Sequence, residues 1–391
     1  MDLGRIRAET PGCRDVAHLN NAGAALPPAV VHDTVVAHLE RERRIGGYEA
    51  ADAAADALTA SYETLAALVG AHADEIAYVE NATRAWDMAF HSIRFREGDR
   101  ILTTTSEYAS NALGFLLAAE RHGAVVEVVP DDEHGQISLD ALERMLAAGG
   151  VRLVAINHVP THDGLVNPVA EVGKLAREAG ALYLVDACQS VGQLAVDVTE
   201  IGCDMLSATG RKFLRGPRGT GFLYVRREVI GELEPPFADL RAADWTGPDS
   251  YELRPDARRF ENWERFTAGQ LGLAAAASYA LELGPAAIEE RVTALAARLR
   301  AALAELPGVT VHDRGLRRSG IVTFTHVTVP APEIVARLAA APRRINARVA
   351  EQTYRYDAGV RPPLRVRLSP HYYNDEAELD LAVTTIADIV R

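Results

Sequence analysis

The run from Leu182 to Gly221, LYLVDACQSVGQLAVDVTEIGCDMLSATGRKFLRGPRGTG, constrains this chain more than any other stretch. Its opening residues, Leu182 to Val185, form a short apolar run that reads as a buried strand. The run ends on a charge, Asp186. A carboxylate at the carboxyl end of a buried strand is where an open α/β sheet places its ligand site. A turn-rich segment and a second apolar stretch lead to Ser207-Ala208-Thr209-Gly210-Arg211-Lys212. Lys212 lies beside small residues and is followed by Gly216, Gly219 and Gly221, which let backbone approach a ligand closely. Phe222 to Val225 reads as the next strand. Alone, Asp186 is a strand cap and Lys212 a helix-end lysine. Their occurrence together, in this order, points to a shared site.

Asp-x-x-Gln at a strand end, followed by Thr-Gly-Arg-Lys and a Gly-rich turn, resembles the pyridoxal-phosphate (PLP) enzymes of the class V aminotransferase family. That family includes cysteine desulfurases, isopenicillin-N epimerase-like proteins and cysteine-conjugate C–S lyases. The resemblance covers nearly the whole chain; its motifs are specific for cofactor and fold and unspecific for substrate. It implies Lys212 as the Schiff-base lysine, Asp186 as the partner of the pyridinium nitrogen and Gln189 as a neighbour of the ring hydroxyl. The chemistry agrees. The ring is an electron sink only while its nitrogen stays protonated, which a buried carboxylate enforces. A lysine must lose its proton to attack an aldehyde.

Further pieces follow in chain order. Val16 to Pro28 is either a plain turn before a helix or, by resemblance, the segment lining the substrate site, with Asn21 as a substrate contact. Val30 to Arg44 and Asp52 to Val69 read as helices, with Gly46-Gly47-Tyr48-Glu49 as a turn between them. Ile76 to Val79 reads as a strand, and Asn81-Ala82-Thr83-Arg84 opens a helix. The free N–H groups of a helix start favour an anion, and the resemblance makes Ala82 and Thr83 part of a phosphate cradle. After the strand Arg100 to Thr104, Tyr108 matches the ring that relatives stack on the pyridine face. Thr161 falls where desulfurases carry an Asn that bonds the ring hydroxyl. His158 and His162 are four apart, but Pro160 between them argues against a helix and hence against a metal pair. Thr209 and Arg211 are expected to hold the phosphate, with Arg offering a bidentate contact. Arg365-Val366-Arg367-Leu368-Ser369-Pro370 resembles the segment whose arginine anchors the substrate carboxylate, which selects Arg367. Cys188, Cys13 and Cys203 read as packing. Trp263-Glu264 replaces the Gly-Thr that in relatives reaches the neighbouring subunit's phosphate; Trp263 either lines a substrate pocket or packs.

Strands and helices alternate from about residue 76 to 225, the pattern of a doubly wound, mostly parallel sheet. The expected architecture is therefore α/β, PLP fold-type I. A large PLP-binding domain spans 15–260, and a smaller α+β domain spans 261–391 together with 1–14. Pro235 to Asn262 reads as irregular, and Arg343 to Val349 and Leu364 to Leu368 as strands of the smaller domain.

With 391 residues, 48% of them hydrophobic, the chain can bury a large core. Its net charge of −13 makes a nucleic-acid partner a poor expectation. Three cysteines argue against a disulfide framework and for a reducing, cytoplasmic compartment, and no apolar run suggests a membrane span. By resemblance, the chain is a homodimer acting on a small amino acid. Residues 342–364 contain no cysteine, so the thiol that carries persulfide in a desulfurase is missing from the loop where it belongs. The expected function is a PLP-dependent C–S lyase acting on a cysteine S-conjugate. Aminotransferase and amino-acid epimerase are the alternatives, and a catalytically inactive PLP-fold binding protein is the non-enzymatic one.

Overall fold

The structure is a computed structural model and describes residues 1–351 and 363–391. Seven strands build the central sheet: β1 (Ile76–Val79), β2 (Arg100–Thr104), β3 (Val125–Val129), β4 (Val151–Asn157), β5 (Leu182–Asp186), β6 (Met205–Thr209) and β7 (Gly221–Val225). Their spatial order is β1-β7-β6-β5-β4-β2-β3. Only β7 runs against its neighbours, pairing antiparallel with both β1 and β6. The sheet is therefore mixed, with a parallel majority.

The near-continuous apolar runs of these strands follow from burial on both faces. Successive side chains alternate between two cores. Leu184 joins the cluster built around Trp86, Phe90 and Phe115, whereas Val185 joins the one around Leu65, Val172 and Leu273. Gly221 permits the closest approach in the sheet: a Cβ there would stand 2.6 Å from the Ala208 carbonyl oxygen and 2.9 Å from the Asn81 carbonyl carbon. The start of β7 can thus lie against both β6 and the first turn of the helix Ala82–His91.

A second, four-stranded antiparallel sheet comprises β8 (Val309–Val311), β9 (Val322–His326), β10 (Arg348–Ala350) and β11 (Arg365–Leu368), in the order β8-β9-β11-β10. Val366 and Leu368 point into its apolar core with Phe324, Leu299 and Ile386, and Arg367 takes the opposite face. The amino-terminal segment belongs spatially to this region. Ala17–His18 pairs in parallel with Ile345–Asn346, and Asn20 bridges to Ser369.

Three local expectations are corrected. The segment after Gly46 is a short helix, Gly47–Asp52, and not a turn; Gly46, at φ +98°, ends the preceding helix Ala29–Ile45, and the residues after it re-enter helix at once. The stretch expected to be irregular holds a hairpin, Ala243–Gly247 with Ser250–Leu253. The strand expected over Arg343 to Val349 is two short strands with different partners, Ile345–Asn346 against the amino-terminal segment and β10 against β11. Among the described residues no single helix is long and apolar enough to cross a membrane.

One side chain ties the two sheets and the amino terminus together. Arg215 is fully buried. Its guanidinium donates to the Leu26 carbonyl at 2.8 Å, the Tyr372 hydroxyl at 2.8 Å and the Thr10 hydroxyl at 2.7 Å. Its charge also lies 4.5 Å from the centre of the Tyr373 ring. Truncation to alanine leaves two buried acceptors and a half-buried one unpaired and opens a cavity. Arg215→Ala is therefore expected to lower unfolding free energy by on the order of 3 kcal/mol, read as a shifted midpoint in urea denaturation. A variant as stable as the parent would refute this role.

Candidate active site

The loop ends at the carboxyl edges of β4, β5 and β6 surround a cavity of about 500 Å³. Ala82, Thr83, Tyr108, Thr161, Asp186, Gln189, Thr209, Arg211 and Lys212 all line it. These residues come from nearly every connection on one side of the sheet, and the topology brings them together.

Lys212 and Lys174 are the only lysines in the chain. Lys174 is exposed, whereas Lys212 is buried at the cavity. Its loop is fixed from two sides. His371 bonds the Phe213 carbonyl at 2.7 Å. Gly192, at φ +92°, lies so close that a Cβ there would meet the Leu214 nitrogen and the Phe213 carbonyl carbon at 2.3 Å. Only glycine meets both demands.

Asp186 closes β5. Its Oδ1 accepts from the Cys188 N–H at 2.9 Å and its Oδ2 from the Asn111 amide at 3.0 Å. Burial lifts its carboxyl above the usual range, while those two donors and nearby Lys212 pull it back. Gln189 donates to the Thr161 hydroxyl at 2.9 Å and to the Ala22 carbonyl at 3.2 Å. Its Oε1 is buried with no partner. A buried anion short of a cation, an orphaned acceptor and a buried lysine in one cavity fit a protonated pyridine bearing a hydroxyl and an aldehyde.

Asn81 caps the helix Ala82–His91, its side chain accepting the Arg84 N–H at 2.9 Å. Thr83 faces the cavity from the first turn, where unpaired N–H groups favour an anion. Arg211 also donates to the Gly23 carbonyl. Tyr108 lines the cavity at the start of the next helix and is partly exposed.

Two of the expected substrate contacts lie outside the cavity wall. Arg367 is one bond removed: its Nη1 donates to the Thr161 carbonyl at 2.7 Å and hydroxyl at 2.9 Å, and Thr161 lines the cavity. Asn21 is farther from a substrate role. Its amide nitrogen donates to the His18 and Ser369 carbonyls at 3.2 and 2.7 Å, and its oxygen accepts from the Tyr373 hydroxyl. Asn21 thus fastens the amino-terminal segment. Its neighbour Asn20 approaches Arg367 Nη2 at 3.4 Å. Cys188, read as packing, lines the cavity beside Asp186, to which its N–H donates. Trp263 is half exposed and absent from the cavity wall. The region from 342 to 364 contributes β10, and its residues 352–362 lie outside the described residues.

Sequence reasoning missed the layer behind Asp186. Glu107 is fully buried and accepts from the Thr103 hydroxyl at 3.0 Å, the Tyr108 N–H at 2.7 Å and the amides of Asn111 and Asn157 at 3.0 and 3.3 Å. The Asn111 amide thus joins two carboxyl groups. Burial, and next the charge of Asp186, push the Glu107 carboxyl up to about 7. A charged residue three positions past the strand β2 and four before an Asn was the available signal.

The family model for aminotransferase class-V matches residues 17–381. The chain is 31% identical over 391 residues to a probable cysteine desulfurase of Methanothermobacter thermautotrophicus, covering 98% of this chain and 97% of that protein. It is 32% identical over 382 residues to a probable hercynylcysteine sulfoxide lyase of Mycobacterium tuberculosis, covering 96% and 90%. Among solved structures, an apo cysteine desulfurase from Thermococcus onnurineus superposes with a TM-score of 0.89 at 26% identity, covering 99% and 98%. The chain belongs to the class V aminotransferase family, whose cofactor is pyridoxal phosphate.

The Glu107 carboxyl generates a prediction. Its folded value of about 7 lies above its ordinary 4.5, so the folded protein holds a proton through that window that the unfolded chain has released. The stability it contributes is full below the ordinary value and is lost as pH rises toward about 7. Glu107→Gln keeps one acceptor oxygen for the Tyr108, Asn111 and Asn157 donors, can donate to the Thr103 hydroxyl, and cannot ionise. Between about pH 5 and about pH 8 the parent should lose on the order of 2 kcal/mol more than the variant, measured by urea denaturation at both pH values. Parallel pH profiles would show that Glu107 does not titrate in this range.

Proposed function

We propose that this class V aminotransferase family member is a PLP-dependent lyase that breaks the Cβ–S bond of a cysteine S-conjugate. The observation that carries the reading is the convergence of Lys212, Asp186 and Gln189 on one cavity, with Arg367 bonded to its wall through Thr161. The choice of lyase over desulfurase is supported by the lack of cysteine in residues 342–364. The relative named a hercynylcysteine sulfoxide lyase supports it as well, while the relatives named cysteine desulfurases make a persulfide route the reading to test against.

When bound, the cofactor withdraws electrons from the substrate Cα. The chain's residues do the rest. Asp186 would hold the ring nitrogen protonated. Gln189 and Thr161 would bond the ring hydroxyl, Tyr108 would cover the ring, and Ala82, Thr83, Thr209 and Arg211 would hold the phosphate. Arg367 offers a guanidinium fork to the substrate carboxylate. Lys212 Nζ takes the Cα proton. The Cβ–S bond then breaks with its electron pair leaving on sulfur, and water completes conversion of the carbon skeleton to pyruvate and ammonium. We further assign a homodimer, supported by exposed Phe237, Leu240, Trp245 and Tyr251 on one stretch of chain. Cytoplasmic placement is supported by unpaired Cys13, Cys188 and Cys203.

The test follows products and covalent state together. An L-cysteine thioether or sulfoxide should give pyruvate, ammonium and the sulfur fragment. Borohydride should fix the cofactor to the peptide bearing Lys212 and not to the one bearing Lys174. Lys212→Ala should abolish that label and reduce turnover by about 10³-fold or more. Offered L-cysteine instead, a protein that yields L-alanine and a protein-bound persulfide would be a desulfurase and not a lyase. A keto acid retaining the sulfur substituent would make the protein an aminotransferase, and racemised substrate an epimerase.

A further inference from the structure

Beside the substrate-carboxylate arginine stands a second arginine with no assigned task. Arg348 on β10 is directly opposite Arg367 on β11 in the antiparallel register. Directly opposed residues share one face of a sheet, with Cβ atoms about 5 Å apart, and like charges there are destabilising. The other strand beside Arg367 does not relieve this: Thr323 occupies the matching position on β9.

The acid that bonds Thr323 and the acid two residues beyond Thr161 are already engaged. Asp313 accepts from Arg300 Nε at 2.7 Å and from the Thr323 hydroxyl at 2.8 Å. Asp163 is paired with Arg314 at 3.3 Å. Arg348 is exposed and makes no hydrogen bond or ion pair among the described residues. Arg367 is buried, and its Nε has no partner. Burial, then the charges of Arg348 and Arg211, push its guanidinium down to about 10. Excess positive charge therefore gathers next to the cavity wall at Thr161.

One guanidinium suffices for an α-carboxylate. We propose that Arg348 binds a second anionic group, carried on the sulfur substituent, so that the preferred substrates are cysteine S-conjugates with a distal carboxylate or similar anion. This rests on the lyase reading above for the identity of the amino acid. An exposed charge on an edge strand also guards against edge-to-edge pairing. That role does not require the charge to lie opposite another arginine, and it predicts no effect on ligand preference.

The experiment compares two ligands of nearly equal size, S-carboxymethyl-L-cysteine and its neutral amide, S-carbamoylmethyl-L-cysteine, with the PLP-loaded protein. Binding is measured by calorimetry and pyruvate release in parallel. The parent should bind the carboxymethyl ligand more tightly than the amide by about fivefold, the scale of one exposed ion pair, and the preference should shrink with added salt. In Arg348→Gln the ratio should fall to about one, in R348E it should invert, and in R348K it should persist in part. Equal binding of both ligands by the parent, or an unchanged ratio in R348Q and R348E, overturns the proposal and leaves Arg348 as an edge guard. The two readings fail separately. Charge-selective binding without pyruvate refutes the lyase while retaining the role of Arg348. Pyruvate from both ligands without charge selectivity does the reverse.

Discussion

A buried guanidinium holds this molecule in its working shape. Arg215 has no carboxylate partner among its hydrogen bonds; carbonyl and hydroxyl oxygens and the face of Tyr373 take that place. Desolvating a charge is costly, and a buried one persists only where its donors are satisfied. Its backbone adds a further cost, because Arg215 is the one non-glycine described residue in the left-handed region, at φ 63°. The return is positional. Arg215 lies three residues beyond Lys212 and reaches Thr10 and Leu26 in the amino-terminal segment and Tyr372 near the carboxyl end. The amino-terminal segment is in turn held by Asn21, Tyr373 and Ser369. The lysine loop, the segment above the cavity and the sheet that carries Arg367 are thereby one connected unit.

The electrostatics of the site are arranged around a missing positive charge. Asp186 and Glu107 are both buried carboxyls, and a single amide, that of Asn111, serves them both. Burial lifts both, the charge of Asp186 lifts Glu107 further, and Lys212 is the cation that acts on Asp186. A protonated pyridine nitrogen at Asp186 would supply the compensating charge in the place where it is most effective. The second layer then sets how firmly Asp186 stays ionised. An acid whose neighbour can carry a proton near neutral pH is a tunable partner, whereas an isolated buried aspartate is not.

The central strands were legible in the sequence for a physical reason. Burial on both faces requires unbroken apolar runs, so Ile76 to Val79, Arg100 to Thr104, Val151 to Asn157 and Phe222 to Val225 stand out between polar connections. The cavity residues were legible because strand ends in such a sheet converge on one edge, so Asp186 and Lys212 locate the rest. What escaped notice lacks those signals. The hairpin from Ala243 to Leu253 is exposed on most of its length and carries no apolar alternation; its Gly-Pro-Asp turn was the one sign. The helix Gly47–Asp52 is masked by Gly46 before it and Gly47 at its start. Asn21 was selected as a substrate contact by resemblance alone, and it is Asn20 that approaches Arg367. Glu107 was passed over because a glutamate in a loop normally means solvent, and only the tertiary structure encloses it.

The position of Cys188 sharpens the distinction between the two sulfur chemistries. A thiol that accepts sulfur from the substrate and hands it on must be a thiolate and must move between donor and acceptor. Cys188 meets neither demand. Burial raises its thiol, and its own N–H is tied to Asp186, two residues back on the end of β5. Its place beside Lys212 suits it to shaping the cavity floor, where a larger side chain would crowd the lysine. On the lyase reading proposed above, sulfur would leave the substrate together with its substituent. That chemistry favours substrates in which sulfur already bears a stable group, and a second arginine near Arg367 is the feature that would read what that group is.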